Sequence, residues 1–319
     1  MRMQKLGTQG PELSVVGFGS WEAGEGSEWG EAPPKERIVE AIRMVLDTGI
    51  NWIDTAEVYG GGRSEELVGL AVGGHRDEVL IATKVAPTPE GTGFRPDEVR
   101  RACVNSLKRM RTGHVDLYQL HDPDDTGIPV EETWGAMAAL ADEGLVRHIG
   151  VSNFDRELIE RCEAVRHVDS LQAEYSMLKP ENRDLIRWCG ENGIGVVCYG
   201  PLAYGLLTGA ITAETKFAPM DFRSGKDEEV FWQNLFAPGK IERSLAIVDA
   251  MRPIAERLGG TVAQVALAWN SNQPGVTSAI AGSRNPEHVR TNAEAGDLEL
   301  DQATLAELEA LLSLGPAFA

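Results

Sequence analysis

Along the chain, short apolar runs alternate with longer stretches in which apolar residues recur at three- and four-residue spacing, the period of one helix face. The first run covers residues 15–19. The stretch 37–47 then places Ile38, Ala41, Ile42 and Val45 on one helical face. Residues 51–54 read as a strand. Residues 64–72 read as a helix, with Ser64 at the N-cap and Leu67, Val68 and Ala71 on one side. The alternation continues with strands at 79–84, 115–120, 148–152, 171–173, 195–199 and 276–281. Helices are expected at 96–111, 130–143, 155–166, 182–192 and 286–295, the last with Pro286 in its first turn. Further helical patterns occupy 241–258, 261–270 and 301–312, where Asp301 stands as a cap. The region 200–240 breaks the rhythm. It mixes Gly, Pro and charges, is too long for a routine connection, and reads as a large functional loop.

Strands that are each followed by a helix imply parallel pairing through right-handed crossovers. The expected fold is a (β/α)₈ TIM barrel spanning 1–319, with an N-terminal β-hairpin and extra C-terminal helices. A doubly wound open sheet is the alternative. It is disfavoured because Gly17, Gly19 and Gly24 do not supply a G-x-G-x-x-G turn after the first strand.

Composition narrows the function classes. The net charge is −19, from 49 acidic and 30 basic residues. Such a surface repels phosphate backbones and anionic lipid, so neither a nucleic-acid nor a membrane partner is expected. An anionic ligand would need a local basic site. No apolar run approaches the roughly 18 residues of a membrane span, and the opening MRMQKLGTQGPEL has no apolar signal core, so a cytoplasmic protein is expected. Cys103, Cys162, Cys189 and Cys198 form no C-x-x-C pair and no zinc-spaced cluster. They are expected to be buried free thiols, and no metal site is expected.

In such a barrel, chemistry sits at the C-terminal ends of the strands. The second strand ends in Asp54 and runs on into Tyr59, the third ends in Lys84 and the fourth in His121. The fifth ends in Ser152 and Asn153, the sixth carries Gln172, and the seventh ends in Tyr199. Each has a plain structural role open to it: a capping carboxylate, a solvated charge, a satisfied core histidine, a packed tyrosine. Their convergence on one rim favours chemistry. Carbonyl reduction needs a hydride donor and a proton donor. A free tyrosine has a pKa of about 10, and a nearby ammonium would lower it. Lys84 suits that part, with Asp54 holding Lys84 and His121 orienting a carbonyl oxygen.

Several stretches carry a family resemblance. DTAEVYGGGRSEELVG at 54–69, IATK at 81–84, YQLH at 118–121, IGVSNF at 149–154, YGPLAYGLLTG at 199–209 and AGSRNPEHVRTN at 281–292 resemble, in order, the signatures of the aldo-keto reductases. The pattern looks closest to a bacterial branch of general stress proteins and inositol-operon reductases. The resemblance implies that Asp54, Tyr59, Lys84 and His121 form a catalytic tetrad. It implies that Ser152, Asn153 and Gln172 hold a nicotinamide carboxamide against which Tyr199 stacks. Pro201, Leu202 and Gly205 would follow the pyrophosphate, with Arg223 closing over it from a cofactor-covering loop at 200–240. Gly282, Ser283 and Arg284 would meet a 2′-phosphate, and His288 and Asn292 the adenosine. Ser283 and Arg284 precede a helix N-terminus, itself a ready anion site.

Three features depart from the usual pattern. His288 stands where relatives often carry Gln or Arg, Gly200 where Ser is common, and Asp122 where an aromatic residue is common. Asp122 would favour a polyhydroxy substrate or repel an acidic one. Trp21 and Trp29 are expected to line a substrate pocket, whereas Trp52, on the same strand face as Asp54, is expected in the core. The expected activity is NADP(H)-dependent reduction of a small aldehyde or ketone, with NAD(H) as the second cofactor choice and Tyr59 as general acid. The alternatives are an NAD-dependent sugar dehydrogenase working oxidatively, and a non-catalytic NADP-binding sensor or scaffold. Oligomeric state is left open.

Overall fold

The structure is a computed structural model describing residues 1–24, 29–86, 94–123, 127–224 and 235–313. Strands β1 (Met3–Lys5) and β2 (Glu12–Ser14) pair antiparallel as the N-terminal hairpin. Strands β3 (Val16–Gly19), β4 (Trp52–Asp54), β5 (Leu80–Val85), β6 (Val115–Leu120), β7 (Val146–Ser152), β8 (Ser170–Glu174), β9 (Gly195–Tyr199) and β10 (Val276–Gly282) close into a barrel in that order, with β10 beside β3. Every pairing in it is parallel. The TIM barrel is thus the observed architecture.

The period-2 alternation of the strands sorts their residues into two cores. Outward residues such as Ile53, Ile81, Tyr118, Ile149 and Leu171 pack beneath the helices α1 (Lys35–Arg43), α3 (Arg63–Ala71), α4 (Pro96–Met110), α5 (Val130–Asp142), α6 (Arg156–Glu163) and α7 (Arg183–Glu191), with the four-residue α2 (Val45–Thr48) following α1. Inward residues Trp52, Ala82, Leu117, Val197 and Ile280 form a separate cluster with Leu6 and Leu13 of the hairpin region. The hairpin therefore stoppers the N-terminal end of the barrel. Two residues further along the same strands stand Asp54, Lys84, Gln119, Tyr199 and Gly282. Strand alternation turns these inward at the opposite end.

Trp52 is a core residue, as expected. Its indole N–H donates to Ser278 Oγ at 3.1 Å and to the Ser14 carbonyl at 3.3 Å. Gly17, on an adjoining strand, makes room for it, because a Cβ there would collide with the indole ring.

Two helices differ from the sequence expectation. The stretch expected as one helix at 37–47 is two, α1 and α2, divided at Met44. Ser64 is not an N-cap. Gly62 takes that position at φ 94°, and the Ser64 hydroxyl is buried, donating to Ser20 and pairing with Thr55 Oγ1 at 2.9 Å. The Asp301 cap is present, its Oδ1 accepting from the Thr304 N–H at 2.7 Å. Within the 200–240 loop, 3-10 turns form at Ala203–Thr208 and Phe222–Ser224. Residues 225–234 of that loop, and the chain end at 314–319, lie outside the described residues. All four cysteines are buried and free, and burial pushes Cys103, Cys162 and Cys189 up to about 12. Among the described residues no helix is long and apolar enough to cross a membrane, and no cluster suits a metal ion.

Gly17→Ala should overpack the barrel against Trp52. The expected loss is about 1–3 kcal/mol, read as a lowered midpoint in urea unfolding, while Gly113→Ala, which meets nothing within 4 Å, should be near neutral.

Candidate active site

The end of the barrel opposite the hairpin opens into a cavity of about 770 Å³, within the usual range for small-molecule sites. At its floor lies a buried ion pair. Asp54 ends β4 and Lys84 lies in β5, strands held side by side by the pairing of Asp54 with Ala82. The Lys84 ammonium is fully buried and donates to Asp54 Oδ1 at 2.6 Å, to the Thr55 carbonyl at 2.9 Å and to the Tyr59 hydroxyl at 3.3 Å. Three N–H groups thus meet three acceptors. The second carboxylate oxygen of Asp54 accepts from Gln172 Nε2 at 2.8 Å. Because the Tyr59 oxygen accepts from Lys84, its own proton is free to be donated into the cavity.

Burial lowers the Lys84 pKa, and Asp54 opposes the shift by attraction and hydrogen bonding. The tyrosine differs from expectation. Burial, then the negative charges of Asp54 and Asp122, push the Tyr59 pKa well above 10. An ammonium 3.3 Å away does not overcome desolvation of a phenolate in so enclosed a place. His121 follows β6, with its ring centroid 5.6 Å from that of Tyr59. Burial, with Lys84 adding repulsion, lowers its pKa to about 3, so its imidazole is neutral. Its Nδ1 is buried without a hydrogen-bond partner among the described residues.

The loop that carries Tyr59 is braced from behind. The Ser64 N–H donates to the Tyr59 carbonyl at 3.2 Å, and the Ala86 N–H to Glu57 Oε1 at 3.1 Å. Buried Glu65 accepts from Thr83 at 2.6 Å and from Arg109 Nε at 2.5 Å, tying α3 to β5 and α4.

On the neighbouring wall, Asn153 adopts a left-handed conformation at φ 61°. Its Nδ2 donates to Asp122 Oδ1 at 2.7 Å, and its Oδ1 accepts from the Tyr199 hydroxyl at 2.9 Å. Desolvation raises the Asp122 pKa, opposed by this hydrogen bond and by Lys84. Trp21, Trp29, Tyr204 and Phe222 form the roof. Trp21 and Trp29 meet edge to face at 5.0 Å, and Phe222 stacks on Trp21 at 6.1 Å. Arg223 is gripped by both oxygens of Asp221, at 2.9 and 2.7 Å.

The far end of the cavity meets the helix Pro286–Glu294. Ser283 Oγ lies 3.2 Å from His288 Nδ1 and accepts from the Asn285 N–H at 3.1 Å. Arg284 Nη2 donates to the Trp29 carbonyl at 2.6 Å, whereas its Nη1 is buried with no hydrogen-bond partner among the described residues.

Every site residue expected from the sequence lines this cavity except Lys84, which lies beneath it. Pro201, Leu202, Gly205, Gly282 and Asn292 are among the lining residues, as are Ser152 and Gln172. Sequence reasoning missed Glu22, Tyr204 and Gln119. Gln119 is fully buried two residues before His121, with both amide atoms lacking partners among the described residues. Strand alternation alone pointed to it. Half-buried Glu22 lines the cavity beside Trp21. Burial raises its pKa, opposed by Arg284 and Arg223.

Comparisons with known proteins agree with this geometry. The model of the Aldo/keto reductase family matches residues 15–313. Aldo-keto reductase YhdN of Bacillus subtilis (strain 168) is 34% identical over 332 aligned positions, covering 100% of this chain and 97% of the relative. The solved glycerol dehydrogenase AKR11B4 of Gluconobacter oxydans superposes with a TM-score of 0.86 at 30% identity, covering 98% of this chain and 95% of that one. An aldo/keto reductase from Klebsiella pneumoniae, solved in complex with NADP and acetate, superposes at 0.76 with 32% identity, covering 99% and 97%. The chain belongs to the Aldo/keto reductase family.

Proposed function

We propose that this chain catalyses NADP(H)-dependent interconversion of a small carbonyl compound and its alcohol, with Tyr59 as the proton donor in reduction. The observation that carries the reading is the direction of the hydrogen bond from Lys84 to Tyr59. Lys84 has its other protons on Asp54 and Thr55, so the Tyr59 proton faces the cavity. A tyrosine pushed above its ordinary pKa holds that proton until a more basic oxygen arrives. An alkoxide developing on a reduced carbonyl is such an oxygen. Lys84 then stands next to the phenolate, where its charge acts most strongly. Neutral His121 contributes a hydrogen bond to the same oxygen rather than a proton.

The chain's residues fit a dinucleotide phosphate. The buried, unpartnered Nη1 of Arg284 lies on the cavity wall beside Ser283, close to the start of a nine-residue helix. Arg223 and Arg284 form the local basic spot that an acidic chain needs to hold phosphates. Ser152, Asn153 and Gln172 would hold the nicotinamide amide. Tyr199 would pack on its ring. Pro201, Leu202 and Gly205 would border the pyrophosphate, and His288 and Asn292 the adenosine. When bound, NADP(H) supplies or accepts the hydride at nicotinamide C4. The NADP-bound relative supports this cofactor. Asp122, set beside Asn153 at the rim, disfavours acidic substrates and favours neutral, hydroxylated ones, as does the likeness to a glycerol dehydrogenase.

Tyr59→Phe should lower kcat for NADPH-dependent aldehyde reduction by about 10²–10⁴ and leave NADPH binding intact by fluorescence titration. Full activity in that variant would end the proposal. Asp54→Asn leaves the buried Lys84 ammonium without its carboxylate. The expected loss is about 3–5 kcal/mol of stability in denaturant unfolding. The His121 imidazole should remain neutral from pH 8 down to pH 5 by histidine NMR. Its folded pKa of about 3 lies below the ordinary 6.5. The unfolded state therefore binds a proton that the folded state refuses, and this site destabilises the fold increasingly as pH falls below 6.5 and not above it.

A further inference from the structure

Strand β7 runs into Asn153, whose side chain is held at both ends of its amide. The Nδ2 group donates to Asp122 Oδ1 at 2.7 Å and to the His121 carbonyl at 3.4 Å. The Oδ1 atom accepts from the Tyr199 hydroxyl at 2.9 Å. A carboxylate only accepts, so Asp122 decides which end of the amide turns toward it. Both N–H groups of the Asn153 side chain are therefore spent within the protein. What the side chain still offers is the second lone pair of its oxygen. The backbone supports the arrangement, with Asn153 at φ 61° and its N–H on the Gln172 carbonyl at 3.0 Å.

The same device occurs one strand away. β7 and β8 pair with Ser152 opposite Gln172, and Ser152, Asn153 and Gln172 all line the cavity. Gln172 gives its Nε2 to Asp54 Oδ2 at 2.8 Å, so this amide too has its nitrogen on a carboxylate and its oxygen left over. Two amides that could face either way are thus turned in the same sense, each by its own acid. We propose that Asp122 is a positioning residue: by holding Asn153 Nδ2 it makes Asn153 an acceptor, so that the site selects the NH₂ end of a primary carboxamide.

The physical basis is polarity rather than shape. The NH₂ and the oxygen of a carboxamide are nearly equal in size, so packing alone does not tell them apart. Fixed acceptors do, and a carboxamide held in one sense steadies the ring that carries it. An apolar side chain at position 122 would leave the Asn153 amide free to turn and donate to the carboxamide oxygen instead.

The inference rests on the dinucleotide reading above, and the test is equilibrium binding rather than turnover. NADP⁺ and its 3-acetylpyridine analogue are titrated into the wild-type protein and Asp122→Ala, with Kd read from calorimetry and folding checked by the thermal midpoint. In the analogue a methyl group replaces the carboxamide nitrogen and the carbonyl is kept. Wild type should bind NADP⁺ about tenfold or more tighter than the analogue, the effect of losing two hydrogen bonds. Asp122→Ala should lower that ratio about threefold or more, because a freed Asn153 can turn its nitrogen to the carbonyl that both ligands share. Loss of the Asp122 charge, or a looser rim, would move both affinities together and leave the ratio unchanged. A wild-type ratio under tenfold, or one that Asp122→Ala fails to lower threefold, overturns the inference alone; loss of all binding in the variant counts as such a failure. If wild type does not bind NADP⁺, the dinucleotide reading falls and takes the inference with it.

Discussion

The arrangement depends on one ion pair buried where water does not reach. Taking a lysine ammonium and a carboxylate into a barrel interior costs several kcal/mol per ion unless each lone pair and proton is matched. Here the matching is complete for Lys84, with Asp54, the Thr55 carbonyl and the Tyr59 hydroxyl as its three acceptors. Gln172, from across the barrel, satisfies the other oxygen of Asp54. These demands fix the orientation of β4, β5 and β8 relative to one another and the place of the loop that brings Tyr59 over the pair. An apolar stopper of Trp52, Leu6 and Leu13 seals the other end. The same strands thus supply a hydrophobic layer and, two residues later, a charged one.

That two-residue step explains why so much was legible in advance. Alternation along Trp52–Asp54 and Leu80–Val85 places Trp52 with Asp54 and Ala82 with Lys84 on single faces. The sequence therefore shows which polar residues must look into the barrel before any contact is known. Strand and helix order gave the closed sheet for the same reason. Local rules failed where tertiary contacts outbid them. Ser64 has the chemistry of a cap, yet its hydroxyl is needed to join the ends of β3 and β4 through Ser20 and Thr55, and glycine takes the cap. The split of the first helix at Met44 carries no breaker residue in the sequence.

The tyrosine pKa is a failure of a different kind. Sequence places an ammonium near Tyr59 but cannot give the degree of enclosure, and enclosure decides the sign. With Asp54 and Asp122 both adding negative charge, the hydroxyl is held protonated. This suits an acid whose oxygen already accepts a hydrogen bond from Lys84. In the proposed reduction the charge that would stabilise the phenolate is in place beforehand, and it would take effect only as the proton leaves.

The same logic governs the cavity mouth. The surface as a whole is acidic, so any anion must be drawn by a few local cations. Yet Arg223 is answered by the carboxylate of Asp221, and Arg284 gives Nη2 to the Trp29 carbonyl while its Nη1 remains buried without a partner among the described residues. Guanidinium groups left bare in an enclosed space would be expensive and would bind any small anion. Tying Arg223 to Asp221 and Arg284 to the Trp29 carbonyl holds the roof loops against the barrel rim. It also means that an incoming phosphate must compete with Asp221 for its contacts to Arg223. Affinity at this end of the cavity is thus a difference between two anions meeting the same arginine, the carboxylate of Asp221 and the incoming phosphate.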